Sequence, residues 1–316
     1  MNSTIDKKTI MDFPLENTSI QLDQHNPLFI YGCPRSGTTF LVNCIAKLDN
    51  VEAFTGVLAP ARLMHLLGSN RLDPENQNVL LWCMRDIFWK AFWNRRHFPS
   101  ERLNQVLKGN KYWKEAFNPS PFSEFIFAYK QPFAVFAAKE LATHFLGSKF
   151  IHIIRDGRDS ADSIERKYPH TLSDKVMQNP LFAQQIVSEI GIPHQWQQWY
   201  LPWWLPDGTQ EEFVKLSQYE RYIWLWREMV ERGKSISEIG DTRYLEIRYE
   251  ELVQDPLTTG QIICKFLNTK PNKRFEKNLL KASINSVGIH RKTRSEDDIK
   301  QANELAEPLL QSLNYL

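Results

Sequence analysis

The chain has 316 residues, 42% apolar and 12% aromatic, enough for one large α/β domain or two small ones around a real core. Its formal net charge is +2, from 39 basic and 37 acidic residues mixed along the sequence. That balance excludes a polyanion-binding tail, so no nucleic-acid partner is expected and any positive site must be assembled locally by the fold. Cys33, Cys44, Cys83 and Cys264 have neither the close pairing of a zinc site nor the density of a disulfide scaffold. Reduced thiols, no metal and a cytoplasmic setting are the expectation.

Residues 1–26 are polar, carry Asp6, Lys7, Lys8, Asp12 and Glu16, and contain no apolar run of signal-peptide length. We expect a flexible lead-in there, followed by a single domain over 27–316, and no later stretch reaches the ~20 apolar residues of a membrane span. Leu28 to Tyr31 reads as a short buried parallel strand that stops at Gly32, and Thr38 to Leu48 as a helix with Phe40, Leu41, Cys44, Ile45 and Leu48 at helical spacing. From Asn76 to Ala137 the chain is rich in Trp, Phe and Arg, with a helical patch over Asn78 to Phe92 and breaks at Pro99, Pro119, Pro121 and Pro132. Lys149 to Arg155 reads as a second buried strand, and after Gly157 a helix runs from about Arg158 to Lys167.

Residues 168–208 hold Pro180, Pro193, Pro202 and Pro206 among Trp196, Trp199, Trp203 and Trp204. This predicts an irregular excursion from the sheet, serving either as an aromatic surface for a sugar, phenol or lipid-like acceptor or as core packing. Gln218 to Ile236 is a helix, and Arg243 to Tyr249 a strand with Leu245, Ile247 and Tyr249 on one face. Pro256 to Leu267 and Ile299 to Leu313 are late helices. The alternation predicts an α/β, P-loop-type three-layer fold, with a central mainly parallel sheet and helices on both faces.

Gly32-Cys33-Pro34-Arg35-Ser36-Gly37-Thr38-Thr39 lies between the first strand and its helix. There, main-chain N–H groups and the helix N-terminus form an anion site. The glycine spacing is that of a nucleotide-binding P-loop. Thr38, however, stands where a triphosphatase has its lysine, and the basic residue has moved inside the loop as Arg35. Arg155-Asp156-Gly157-Arg158-Asp159, followed by Ser163, forms a second polar cluster at a strand end; in a parallel sheet it shares an edge with the first loop. Two anion sites on one edge suit a ligand with two separated phosphates, whereas the bland alternative is a surface ion-pair network.

These blocks, with the RYEELVQDP run inside Tyr244 to Pro256 and the Ser286-Val287-Gly288-Ile289-His290-Arg291-Lys292 segment, resemble sulfotransferases dependent on 3'-phosphoadenosine 5'-phosphosulfate (PAPS). The likeness is to the branch with Arg in the phosphosulfate loop, which includes tyrosylprotein and many bacterial enzymes. The resemblance implies that Arg35, Ser36, Gly37, Thr38 and Thr39 bind the 5'-phosphosulfate, Arg155 and Ser163 the 3'-phosphate, Tyr249 the nucleotide, and Gly288 and Arg291 a C-terminal phosphate loop. Ile289 and His290 depart from the Arg and Trp common in bacterial relatives.

Lys130 resembles the lysine that reaches the transferring group. Arg35 and Lys130 are thus the expected catalytic cations and Glu52 the expected base, with His65 and His144 as further candidates. The implied reaction moves sulfuryl from PAPS, as cosubstrate, to a hydroxyl or amine of a small-molecule, glycan or peptide acceptor. A P-loop kinase and a non-catalytic nucleotide-binding protein are the competing readings.

Overall fold

The structure, a computed structural model, describes residues 27–55, 58–69, 72–117, 125–181 and 194–316. The expected lead-in over 1–26, Pro119, Pro121 and residues 182–193 of the excursion lie outside the described residues.

β1 (Leu28–Tyr31) is buried throughout and feeds the glycine loop, which opens into α1 (Thr38–Ile45). β2 (Val51–Thr55) has no clear signature in the sequence because Glu52 interrupts its apolar pattern, yet Glu52 is buried with the strand. A helical block follows: α2 (Leu58–Gly68), α3 (Pro74–His97), α4 (Pro99–Leu107) and α5 (Trp113–Phe117). The sequence pattern places α3 only over Asn78 to Phe92, but its end signals lie outside the apolar repeat. The Asp73 carboxylate accepts from the Glu75 and Asn76 N–H groups, Pro74 occupies the first turn, and Arg95, Arg96 and His97 occupy the last.

β3 (Ile126–Lys130) leads through a 3-10 turn (Pro132–Ala137) into α6 (Ala138–His144), then β4 (Lys149–Ile154) and α7 (Gly157–Lys167). Beyond α8 (Asp174–Met177), the described part of the excursion is an antiparallel hairpin, β5 (His194–Trp196) and β6 (Trp199–Leu201). α9 (Gln210–Lys215) precedes α10 (Gln218–Lys234), which starts at a capping box between Ser217 and Glu220. β7 (Tyr244–Arg248) runs directly into α11 (Tyr249–Gln254), and α12 (Pro256–Leu267), α13 (Lys273–Leu279), α14 (His290–Thr293) and α15 (Glu296–Ser312) complete the chain.

The main sheet has strand order β2-β3-β1-β4-β7, and every pairing in it is parallel. Side chains alternate between its faces with period two. Phe29, Tyr31, Phe127, Tyr129 and Phe150 enter one core with the helical block, α7, α10 and α15. Leu28, Ile30, Ala128, Ile151, Ile153 and Ile247 enter a second core with α1, α12 and α13. This is the three-layer α/β architecture the sequence predicts. Trp199, Trp203 and Trp204 are buried in the first core, so their aromatic mass serves packing. Because all five strands run the same way, Tyr31, Thr55, Lys130, Ile154 and Arg248 end on one edge, where a parallel sheet places its ligands.

Candidate active site

The loop after β1 depends on glycine at two places. Gly32 has φ +147°, and a Cβ there would sit 2.2 Å from the Ile153 carbonyl oxygen of β4. Gly37, in the left-handed region at φ +94°, is the N-cap of α1; a Cβ would meet the Tyr249 ring at 2.6 Å. Arg35 is also left-handed, at φ 69°, a conformation rare outside glycine and recurrent at ligand sites. No side chain caps α1, so its first-turn amides are left to a ligand.

Arg155, immediately after β4, joins the two motifs. Its Nη1 donates to the Arg35 carbonyl at 3.0 Å, its Nη2 donates to the Ser286 carbonyl, and Asp159 lies 3.5 Å away. The guanidinium covers the Tyr249 ring at 4.9 Å, and the Tyr249 and Ser286 hydroxyls share a 2.8 Å hydrogen bond. Arg35 Nε donates to Ser163 Oγ at 3.0 Å, and the Ser36 and Ser160 hydroxyls meet at 3.2 Å. The loop and α7 are therefore locked together.

Asp156, Arg158 and Asp159 prove to be supports under this site and not a solvated ion-pair network, for all are buried with Arg155. Arg158 makes a two-point contact with Asp156, at 3.0 and 2.8 Å, and reaches Asn303 and the Tyr315 carbonyl in the C-terminal segment. Asp159 accepts from the backbone N–H groups of Gly288 and His290 and lies 2.6 Å from His290 Nδ1. Burial alone would raise the Asp159 carboxyl, but the His290 hydrogen bonds, the Arg155 charge and the Gly288 N–H together hold it below the usual carboxylate range. Trp226 donates its indole N–H to the Arg155 carbonyl at 2.9 Å.

These elements enclose a cavity of about 580 Å³ whose walls include Arg35, Thr38, Thr39, Arg155, Ser163 and Tyr249. Six of the residues singled out in the sequence thus come together. Gly37 borders the same cavity, and Ser36 is buried behind it against Ser160. Gly288 acts instead as an anchor through its N–H to Asp159, with Ile289 reaching the cavity wall, while Arg291 is exposed and is not a wall residue. Wall residues that went unassigned from sequence include Arg166, Lys281 and Ser286. Ser286 lies in the quoted C-terminal block; Lys281, after a short helix, has no local signature.

Lys130 ends β3 on the same edge, level with Ile30 and Thr55, and burial lowers its ammonium pKa. Glu52 sits elsewhere. It pairs with Phe127, three positions before the edge, 3.1 Å from Arg96 and 4.0 Å from Lys111, all three side chains buried. His144 borders a separate cavity of about 460 Å³ with Lys139, Glu140 and Arg232, on the helix that leads to the start of β4. His65 packs its ring 5.9 Å from Phe133 and 5.1 Å from Trp203, and its buried Nε2 has no hydrogen-bond partner. Burial pushes its imidazole down to about 4, so it is neutral at physiological pH.

Among solved structures, the chain is similar to the sulfotransferase domain of a Synechococcus olefin synthase at 17% identity and TM-score 0.47, covering 89% of this chain and 95% of that one. It is similar to a Mycobacterium avium sulfotransferase at 14% and 0.44, covering 95% and 80%. A mouse sulfotransferase complexed with PAP matches at 13% and 0.45, covering 94% and 89%. No curated protein sequence matches. The sequence profile described as "Sulfotransferase family" matches residues 27–200, more than half of the chain and inclusive of the loop, Lys130, Arg155 and Ser163. This chain therefore belongs to the sulfotransferase family.

Proposed function

We propose that the protein transfers the sulfuryl group of PAPS to an acceptor hydroxyl by in-line displacement. The observation that carries this reading is the pair of cations on one cavity: exposed Arg35, hydrogen-bonded to Ser163 beside the uncapped start of α1, and buried Arg155, which holds the Arg35 carbonyl and covers the Tyr249 ring. Arg155, a wall residue of the cavity, carries a charge suited to an anion. The loop amides with Thr38 and Thr39 would hold the 5'-phosphosulfate, and Arg155 with Ser163 the 3'-phosphate.

As the acceptor oxygen bonds to sulfur, the bond from sulfur to the phosphate oxygen breaks. The electron pair leaves with 3'-phosphoadenosine 5'-phosphate (PAP). Negative charge grows on that oxygen; Arg35, on the cavity wall, and Lys130, at the end of β3 on the same sheet edge, are the cations we assign to oppose it. For the acceptor proton we take His65 in preference to Glu52; its ring packs against Phe133, in the turn that follows β3, and is not a wall residue of the donor cavity. Glu52 is committed to Arg96 below the edge, whereas His65 offers a neutral ring with an unengaged Nε2. Accordingly, Glu52→Gln is expected to keep kcat within about twofold but to destabilise the fold by about 3 kcal/mol, because it strips a buried arginine of its counter-ion. His65→Gln is expected to lower kcat by about 10²-fold with PAP affinity unchanged. Steady-state kinetics beside thermal melts checks both; a large kcat loss in Glu52→Gln with unchanged stability would return the base to Glu52.

The function itself is tested by incubation with sulfur-labelled PAPS or, separately, with γ-phosphate-labelled ATP and magnesium, each over an acceptor library. Label transferred from PAPS alone supports the proposal; label transferred from ATP alone supports a kinase.

A further inference from the structure

We infer that the acceptor is a small, uncharged alcohol or phenol with a flat apolar body, seated in a second cavity back to back with the donor cavity. The inference rests on the sulfuryl-transfer reading above. The second cavity, of about 190 Å³, shares its partition with the first. Pro34 borders it while Arg35 borders the donor side, and Ile164 borders it while Ser163 borders the donor side. Gln131, the residue after Lys130, lies on its wall. A hydroxyl placed there adjoins both the loop and the end of β3, where the transferring group must pass.

The remaining walls are chiefly Phe133, Leu172, Trp204, Tyr222 and Leu225. Among the described residues no Asp, Glu, Lys or Arg borders the cavity, so a charged acceptor would lose its hydration there with no described charge to replace it. The Tyr222 hydroxyl is already committed as donor to the Tyr168 carbonyl at 2.9 Å. Trp204 adds aromatic surface to the wall, and its indole Nε1 is buried without a hydrogen-bond partner among the described residues. Size points the same way. An apolar cavity of about 150 Å³ accepts one benzene ring, so 190 Å³ holds one substituted ring or a short branched alcohol and is too small for a disaccharide or a peptide segment.

The test uses the full chain and sulfur-labelled PAPS with four acceptors: naphthol, benzyl alcohol, an acidic tyrosine peptide and a chito-oligosaccharide. Naphthol or benzyl alcohol is expected to exceed the peptide and the oligosaccharide in kcat/KM by about 10²-fold or more. Leu225→Trp, which fills the cavity from α10, is expected to raise the KM for the preferred acceptor about tenfold while leaving PAP affinity unchanged. Thr171→Trp, at a half-buried position of the same wall, repeats the test where the first variant does not fold. Preference for the peptide or oligosaccharide, or an unchanged KM in the folded variants, would overturn the inference while PAP binding by the wild type keeps the donor reading intact. Failure of the wild type to bind PAP would overturn both.

Discussion

Arg35→Ala is expected to lower kcat by about 10² to 10³-fold while leaving the folded structure in place, the loss seen when one preorganised donor to a developing charge is removed. The expectation follows from where the residue sits. Arg35 is exposed in the donor cavity and is held at φ 69° by the loop. Its side chain makes a single hydrogen bond, to Ser163, that contributes little to stability. Alanine at the same φ carries the same backbone strain as arginine, so a thermal melt should move little while turnover collapses. Steady-state kinetics with saturating PAPS, beside that melt, distinguishes a lost cation from a lost fold. A kcat within threefold of wild type would remove Arg35 from the mechanism.

Gly32→Ala should be the more damaging substitution for the fold. The added Cβ would fall 2.2 Å from the backbone carbonyl oxygen of Ile153, and a strand carbonyl in the centre of the sheet has no rotamer by which to yield. Strain at φ +147° adds to the overlap; together they are expected to cost roughly 2–6 kcal/mol and to spoil the path of the loop. Gly109→Ala is the control, for its φ is also positive, at +65°, but an added Cβ meets nothing nearer than Lys47 Nζ at 3.9 Å. That change should cost only about 1–2 kcal/mol and leave PAP binding alone. Denaturant unfolding of the two variants measures the difference, and equal destabilisation would mean that the approach of β1 to β4 is not the constraint.

The parts of this protein legible in its sequence are those where a local pattern is also the physical cause. Phe150, Ile151, Ile153 and Ile154 announce a buried parallel strand because both faces of a central strand are covered, and β4 is flanked by β1 and β7. Arg155 and Ser163 are legible as one polar cluster because a buried strand, a glycine turn and a helix follow one another within the local sequence, and the structure brings both to one cavity. What escaped reading depends on partners remote in sequence. β2 is an edge strand whose polar Glu52 is tolerated inside only because Arg96, forty-four positions later, neutralises it. From sequence Glu52 reads only as the acid nearest the loop; its buried pairing with Arg96 depends on a contact the local pattern does not record.

Tyr249 shows an intermediate case. The sequence pattern makes it the last residue of a strand with Leu245 and Ile247; the strand ends at Arg248 and Tyr249 starts a helix, yet all three still pack against the same core. The tryptophans at 199, 203 and 204 left acceptor surface and core equally open, because composition records aromatic mass and not its neighbours; Phe136 and Phe213 beside Trp204 show its place in the core. Trp204 also borders the second cavity, so one residue answers to both readings.

If the cavity holds a donor with two separated phosphates, Arg155 grips one of them. Calorimetric titration of the purified wild type with PAP, of Arg155→Ala with PAP, and of both with magnesium-ATP tests it most directly. PAP is expected to bind with about micromolar or tighter affinity, weakened by about 10²-fold in Arg155→Ala as charge-assisted hydrogen bonds are lost. Preference for magnesium-ATP, with PAP binding absent or indifferent to Arg155, would contradict it.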